Sequence, residues 1–152
     1  MFPDSKSTIL AAAMLFVASG SSLGLTADEV GHCDAVLSAT SQLVGVVLFE
    51  EGSSRLDGPM QKIGSAIGDI LSSRDWGSTA KIYVVGHTDR VGSDQFNLDL
   101  GRKRAEALQT ILATKVNAPF EIVSCGETRL VIQTPDGRPH AHNRRVEVRV
   151  AD

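Results

Sequence analysis

Apolar residues recur along the chain with two different spacings, and these spacings predict four strands and two helices. Continuous or alternating apolar runs at residues 42–49, 81–86, 120–125 and 144–150 are typical of strands with at least one buried face. Two segments, from Leu56 and from near Phe96, carry apolar residues every three or four positions, which is typical of helices with one buried face. The first helix is predicted to end near Ser73, and Pro119 stops the second because proline cannot continue a helix.

The order strand, helix, strand, helix, strand, strand predicts an α+β fold. Both helices can bury their apolar stripes against one face of a mixed sheet, which makes a two-layer sandwich with one core. The last strand alternates between valines and charged residues, so we expect the valines to face the core and the charges to face outward. The charged positions are Arg145, Glu147 and Arg149.

The N-terminal region has a different pattern. Residues 1–24 contain an apolar run of about ten residues followed by small residues, which is typical of a secretory signal peptide cleaved near residues 20–27. Two alternatives are an uncleaved anchor, although the run is far shorter than the roughly 20 residues that span a bilayer, and a cytosolic chain. Residues 25–41 are interpreted as a connector, and residues 42–152 as the folded domain.

Charge and aromatic content restrict the classes of partner. The net charge is −3 and aromatic residues make up 5% of the chain, so neither a basic nucleic-acid surface nor a base-stacking platform is expected. The histidines have no spacing that would bring three or four metal ligands together, and no nucleophile has an evident base beside it. We therefore expect no metal, no cofactor, no nucleic acid and no enzymatic activity.

Two cysteines, Cys33 and Cys125, are separated by most of the domain. If the chain is exported, they lie in an oxidising compartment, where such a pair tends to form a disulfide. The alternative is two free thiols, with Cys125 buried in the third strand.

The richest segment for chemistry is the loop after the second strand and the helix that follows it. The loop offers the carboxylate of Asp89, and Arg104 follows fifteen positions later, two turns into the helix from Asn97. Helical side chains lean toward the helix N-terminus, so Arg104 is aimed at the loop that carries Asp89. The residues alone fit two interpretations. One is a pocket for a small zwitterion; the other is a structural Asp89–Arg104 ion pair, with Asn97 only capping the helix.

The segment GHTDRVGSDQFNLDLGRKRA resembles the OmpA-like peptidoglycan-binding domain, a family that includes outer-membrane protein A, the peptidoglycan-associated lipoprotein and the flagellar stator protein MotB. The family pattern joins G-H-T-D-x-x-G after a strand, an asparagine, and L-[SG]-x-x-R-A in a helix. Further marks are Gly126-Glu127 after the third strand and Asn143-Arg144-Arg145-Val146 at the last strand. The resemblance covers roughly residues 44–150. Gly101 stands where many members have serine, and Cys125 replaces a residue that is often aromatic.

The resemblance implies noncovalent binding of peptidoglycan in the bacterial envelope. By motif position, Asp89 would take the ammonium of diaminopimelate in the stem peptide and Arg104 would take its carboxylate. Asn97 and Thr88 would line the same pocket, and Arg144 would support it. The expected location is the periplasm, with association to the outer membrane. The alternative is an envelope scaffold that uses this fold to bind other envelope proteins instead of the wall.

Overall fold

The computed structural model describes residues 27–38 and 40–151, and the signal peptide predicted at residues 1–24 lies outside them. Three helices and four strands follow one another along the described chain, with a short 3₁₀ helix, Ala141–Asn143, before the last strand. They are α1 (Ala27–Ser38), β1 (Gln42–Leu48), α2 (Gly58–Ser73), β2 (Lys81–His87), α3 (Asp94–Leu112), β3 (Phe120–Gly126) and β4 (Arg145–Ala151). From residue 42 onward this is the predicted order.

The four strands form one mixed sheet in the order β1-β4-β2-β3. The β2–β3 pair is parallel, and α3 makes the crossover between these two strands. Strand β4 lies between β1 and β2 and is antiparallel to both. The predicted α+β fold with a mixed sheet is confirmed.

Helices α2 and α3 cover one face of the sheet and bury the main core. Each begins at a side-chain cap: Asp57 accepts from the backbone N–H of Met60 at 2.9 Å, and Ser93 accepts from that of Phe96 at 3.3 Å. The cap of α3 is therefore Ser93, and Asn97 lies within the first turn instead of capping it. The main core between sheet and helices includes Val47, Ile67, Leu71, Val84, Ala105, Leu108, Leu112, Val146 and Val148.

Helix α1 lies on the opposite face of the sheet and takes up most of residues 25–41, the segment interpreted from the sequence as a connector. Val36 packs with Val85 and Val123, and a disulfide joins Cys33 to Cys125 in β3, with a Cα–Cα distance of 5.4 Å. Asp34 also accepts from Nε of Arg129 at 2.8 Å. The predicted disulfide is thus present, and it fixes a helix to the second face.

The charged residues of β4 also lie on the second face, but the expectation that they face solvent is wrong for two of them. Arg145 and Glu147 are each only 6% exposed. Arg145 and Arg149 donate to the two carboxylate oxygens of Glu147 at 2.8 and 2.7 Å, and Arg145 also donates to the carbonyl of Arg129 at 3.2 Å. The three charges therefore form a hydrogen-bonded network, in accord with the rule that buried charges are paired.

None of the helices in the described residues is long and apolar enough to span a membrane.

Candidate functional site

The site lies where β2 ends and α3 begins, and two glycines bring these elements together. A Cβ atom on Gly86 would overlap the carbonyl oxygen of Gly101 in α3, so the strand and the helix can approach this closely only without side chains. Thr88 and Asp89, which directly follow β2, are held beside β3 because the N–H of Thr88 donates to the carbonyl of Gly126 at 2.8 Å. The loop that carries Asp89 is therefore fixed at both α3 and β3.

Asp89 is only 4% exposed, and its carboxylate has three partners. Oδ2 accepts from Nη1 of Arg144 at 3.1 Å and from the backbone N–H of His140 at 3.3 Å, and Oδ1 accepts from the N–H of Val91 at 3.4 Å. The arginine that contacts Asp89 is therefore Arg144 and not Arg104, which rules out the direct Asp89–Arg104 pair considered from the sequence. A carboxylate can accept about four hydrogen bonds, so one acceptor position is left.

Arg104 is almost fully buried, at 1% exposure, and its guanidinium binds three backbone carbonyls. Nε donates to Ser53 at 2.8 Å, Nη1 to His87 at 3.0 Å and Nη2 to Glu50 at 2.9 Å. The ring of Phe49 covers the guanidinium, with its centroid 5.4 Å from Cζ. Two of its five N–H groups have no partner within the described chain.

The charge of Arg104 survives its burial. Burial lowers the pKa of Arg104 to about 10, although nearby Asp89 raises it, and the positive charge of Arg144 lowers it further. At neutral pH the side chain remains a cation beside Asp89. Asp89 and Arg104 therefore attract each other electrostatically, although they do not hydrogen-bond each other.

Asn97 is fully buried near the start of α3 and contacts the segment after β3. Its Nδ2 donates to Oε2 of Glu127 at 2.6 Å, and Nε of Arg90 donates to Oε1 of the same carboxylate at 3.3 Å. Glu127 therefore ties α3 to the loop that contains Asp89, a role that the sequence analysis did not assign to it. The Oδ1 atom of Asn97 and the Oγ1 atom of Thr88 are buried without a hydrogen-bond partner among the described residues.

His87 separates the site from the charged network on the second face. Its imidazole is fully buried, and Nε2 lies 3.7 Å from Oε1 of Glu147. Burial is the main cause that lowers the pKa of His87 to about 3, with a smaller effect of the positive charge of Arg145, so the ring is neutral at neutral pH.

The carboxylate of Glu147 lies next to His87. Burial raises the pKa of Glu147, but its charged neighbours outweigh burial and the pKa is lowered overall. Protonated His87 would contribute to that shift only at low pH, which leaves Arg149 and Arg145 to stabilise the carboxylate at neutral pH.

A pocket of about 390 Å³ opens at Asp89. Glu51 and Gly52 from the β1–α2 loop form one wall, and Phe96 and Leu100 of α3 form an apolar wall. Phe96 is 51% exposed, so about half of its side chain is open to solvent. The pocket thus combines acidic groups with an exposed aromatic ring. Within the residues that the structure describes, no group of three or more His, Cys, Asp or Glu side chains is placed to hold a metal ion.

The sequence of the domain matches the model of the OmpA family over residues 48–144, which is more than half of the chain. The chain belongs to the OmpA family. The peptidoglycan-associated lipoprotein of Pseudomonas aeruginosa is 39% identical over 75 residues, a match that covers 48% of this chain and 45% of that protein. Outer membrane protein P5 of Haemophilus influenzae is 32% identical over 103 residues, which cover 68% of this chain and 28% of that protein. The chain therefore spans less than half the length of these relatives.

Solved structures share the fold. The crystal structure of the peptidoglycan-associated lipoprotein from Burkholderia pseudomallei superposes with a TM-score of 0.60 at 30% identity, covering 70% of this chain and 89% of that one. The C-terminal domain of Helicobacter pylori MotB gives a TM-score of 0.62 at 21% identity, covering 71% of this chain and 84% of that one, and this similarity concerns the fold alone.

Proposed function

We propose that this chain binds peptidoglycan noncovalently in the bacterial cell envelope, and that the group it recognises is the diaminopimelate of the stem peptide. The observation that carries the proposal is the Asp89 carboxylate, which is buried, ionically paired with Arg144 and open to the pocket. Relatives named peptidoglycan-associated lipoprotein support it. The location that follows is the periplasmic side of the envelope, with association to the outer membrane. The proposed role is binding without catalysis.

The free end of diaminopimelate carries an ammonium and a carboxylate on one carbon atom. The remaining acceptor position of Asp89 suits the ammonium, because a charge-assisted hydrogen bond to a buried carboxylate is stronger than one to an exposed group. Two guanidinium groups, of Arg104 and Arg144, provide the positive field that the ligand carboxylate needs. By its position in the family motif, Arg104 is the residue that we assign to that carboxylate.

Thr88 and Asn97 complete the proposed pocket in a supporting role. Each has a buried oxygen without a hydrogen-bond partner in the described chain, and leaving such an atom unpaired costs about 1–3 kcal/mol. A ligand or a water molecule bound with it would remove that cost. We therefore assign both residues to the ligand side of the site, with Glu127 holding Asn97 in place.

The test is cosedimentation of the purified protein with insoluble peptidoglycan sacculi. Wild type, Asp89→Asn and a matched control, Asp99→Asn, are compared at equal concentration. Asp99 lies on the exposed side of α3, so its substitution makes the same change of charge outside the pocket. We expect Asp89→Asn to reduce bound protein at least tenfold, because Arg144 and the ligand ammonium both lose their counter-charge.

Thermal unfolding of each variant shows whether the domain is still folded. Wild type that stays in the supernatant would contradict wall binding and favour the scaffold alternative. Asp89→Asn that is folded and sediments like wild type would place the binding surface elsewhere. To test the diaminopimelate assignment, sacculi whose stem peptides carry lysine at that position are used, since lysine lacks the second carboxylate; equal binding to both would contradict it.

A further inference from the structure

A second cavity, of about 210 Å³, is lined in part by Arg144. Leu48, Phe49 and Met60 give it an apolar floor, and Arg55 and Arg144 also line it. Arg144 contacts Asp89 in the first pocket and lines the second, so a ligand that reaches from one to the other passes this side chain.

Both arginines have donors to spare. Arg144 donates from Nε to the carbonyl of Phe49 at 3.0 Å and from Nη1 to Asp89 at 3.1 Å, which uses two of its five N–H groups. Its side chain is 12% exposed and is therefore held in place. The exposed guanidinium of Arg55 makes no hydrogen bond or ion pair with any residue in the described part of the chain. Two cationic groups with unused donors over an apolar floor suit a carboxylate on a short aliphatic group.

Two acidic residues limit what else the cavity can accept. The carboxylate of Asp57 is occupied as the cap of α2, where Oδ1 accepts from the N–H of Met60 at 2.9 Å. Glu50 is exposed, and its carbonyl oxygen is already bound to Arg104 at 2.9 Å. The two acids balance the two arginines, so the cavity has no excess of positive charge to attract a polyanion such as a free phosphate. The fit is better for one carboxylate within a peptide.

We propose that this cavity is a second subsite. It binds the carboxylate of the small amino acid that follows, in the stem peptide, the one held at Asp89. Arg55 distinguishes a free carboxylate from an amide at this position. The inference rests on the proposed function, since the peptide must first be held at Asp89. In peptidoglycan the occupant is an alanine joined to diaminopimelate, with its methyl group on the apolar floor. The domain then favours uncrosslinked stems that end in a free carboxylate over stems whose carboxyl group is blocked.

The test is isothermal titration calorimetry with two synthetic stem tetrapeptides that differ only at the last alanine, one ending in a carboxylate and the other in a carboxamide. Wild type is expected to bind the carboxylate about fivefold more tightly, the range for a partly exposed charged contact. Arg55→Met removes the guanidinium and keeps an apolar side chain of similar length. It should bind both peptides with the affinity that wild type shows for the carboxamide. Arg55→Lys should restore part of the difference.

The matched control is Lys62→Met, which removes one positive charge from the exposed side of the neighbouring helix α2. It should retain the fivefold preference of wild type, which separates the subsite from a general effect of net charge. If wild type binds both peptides equally, or if Arg55→Met weakens both equally, the subsite is refuted while binding at Asp89 stands. If wild type binds neither peptide, the proposed function fails and this inference fails with it.

Discussion

The Nη1 group of Arg104 lies 3.0 Å from the carbonyl oxygen of His87, the residue that ends β2. The same guanidinium holds the carbonyls of Glu50 and Ser53 in the loop after β1. One side chain of α3 therefore fixes the end of one strand and the loop that follows another. The pocket at Asp89 is built between these two segments, so its shape depends on a residue that solvent hardly reaches.

Replacing Arg104 should therefore affect stability as well as binding. We expect Arg104→Met to lower the free energy of unfolding by about 2–4 kcal/mol, because three carbonyls lose a charged donor at once. Chemical denaturation measures this change. Lys103→Met removes an exposed charge next to it in α3 and should change stability by less than about 0.5 kcal/mol. A fully stable Arg104→Met variant would show that water replaces the guanidinium without cost.

The stability of the domain should fall with acid before the carboxylates titrate. Folding lowers the pKa of His87 from 6.5 to about 3, so the unfolded chain binds a proton there that the folded chain does not. Stability is therefore complete above the unfolded pKa and is lost as the pH falls from 6.5 toward 3. Between pH 7 and about 4.5 we expect a loss of about 2–3 kcal/mol from this residue. Folding also lowers the pKa of Glu147, which adds a loss in the same direction around and below its usual value of 4.5.

Denaturation curves recorded at several pH values measure this dependence. In His87→Leu the free energy of unfolding should change less with pH between pH 6.5 and about 4.5 than in wild type, whatever the effect of the substitution on stability at neutral pH. His142→Gln removes an exposed histidine and should leave the slope of wild type unchanged. An equal slope in His87→Leu and wild type would show that other groups cause the acid sensitivity.

Gly101 offers a test of how closely α3 packs against β2 and β3. A Cβ atom at residue 101 would overlap Oγ of Ser124, which donates to the carbonyl of Leu98 at 2.7 Å, and would lie 3.1 Å from the carbonyl oxygen of Gly86. We expect Gly101→Ser to destabilise the domain by about 1–3 kcal/mol through overpacking. Adding Ser124→Ala should recover part of this loss, because the nearest atom is removed.

Thermal denaturation of the two single variants and the double variant completes the cycle. Gly58→Ser serves as the control, since a Cβ atom at residue 58 would meet open space. Strictly additive losses in the double variant would mean that Ser124 does not cause the restriction at residue 101.

Apolar periodicity predicted β1 to β4, α2 and α3 to within a few residues, because each of these elements buries a regular stripe in one core. Helix α1 was missed for a physical reason. Its sequence, ADEVGHCDAVLS, contains a helix-weakening glycine and only a weak apolar stripe. A disulfide joins it to β3, and Asp34 forms an ion pair with Arg129 in the loop after β3. Long-range links of that kind leave no local pattern.

The sequence predicted which candidate residues lie close together, but not the partners that they contact. Spacing and family pattern placed Asp89, Arg104 and Arg144 near one another, and the structure does bring them together. The partners of Arg104 are backbone carbonyls, which every residue has, so no side-chain pattern could reveal them. Glu147 is buried because Arg145 and Arg149 of its own strand pair with it and because the second face of the sheet is covered. The alternation of valines and charged residues along β4 indicates only which face each side chain is on.

The disulfide changes how the domain transmits a pulling force. Tension that enters through α1 while a ligand is held at Asp89 can pass along the covalent bond from Cys33 to Cys125. From there it reaches Gly126, whose carbonyl is bound to the N–H of Thr88, one residue before Asp89. In the reduced protein that covalent path is absent, and α1 is joined to the domain only by the chain that leads into β1 and by its noncovalent contacts, which include those with Val85, Val123 and Arg129.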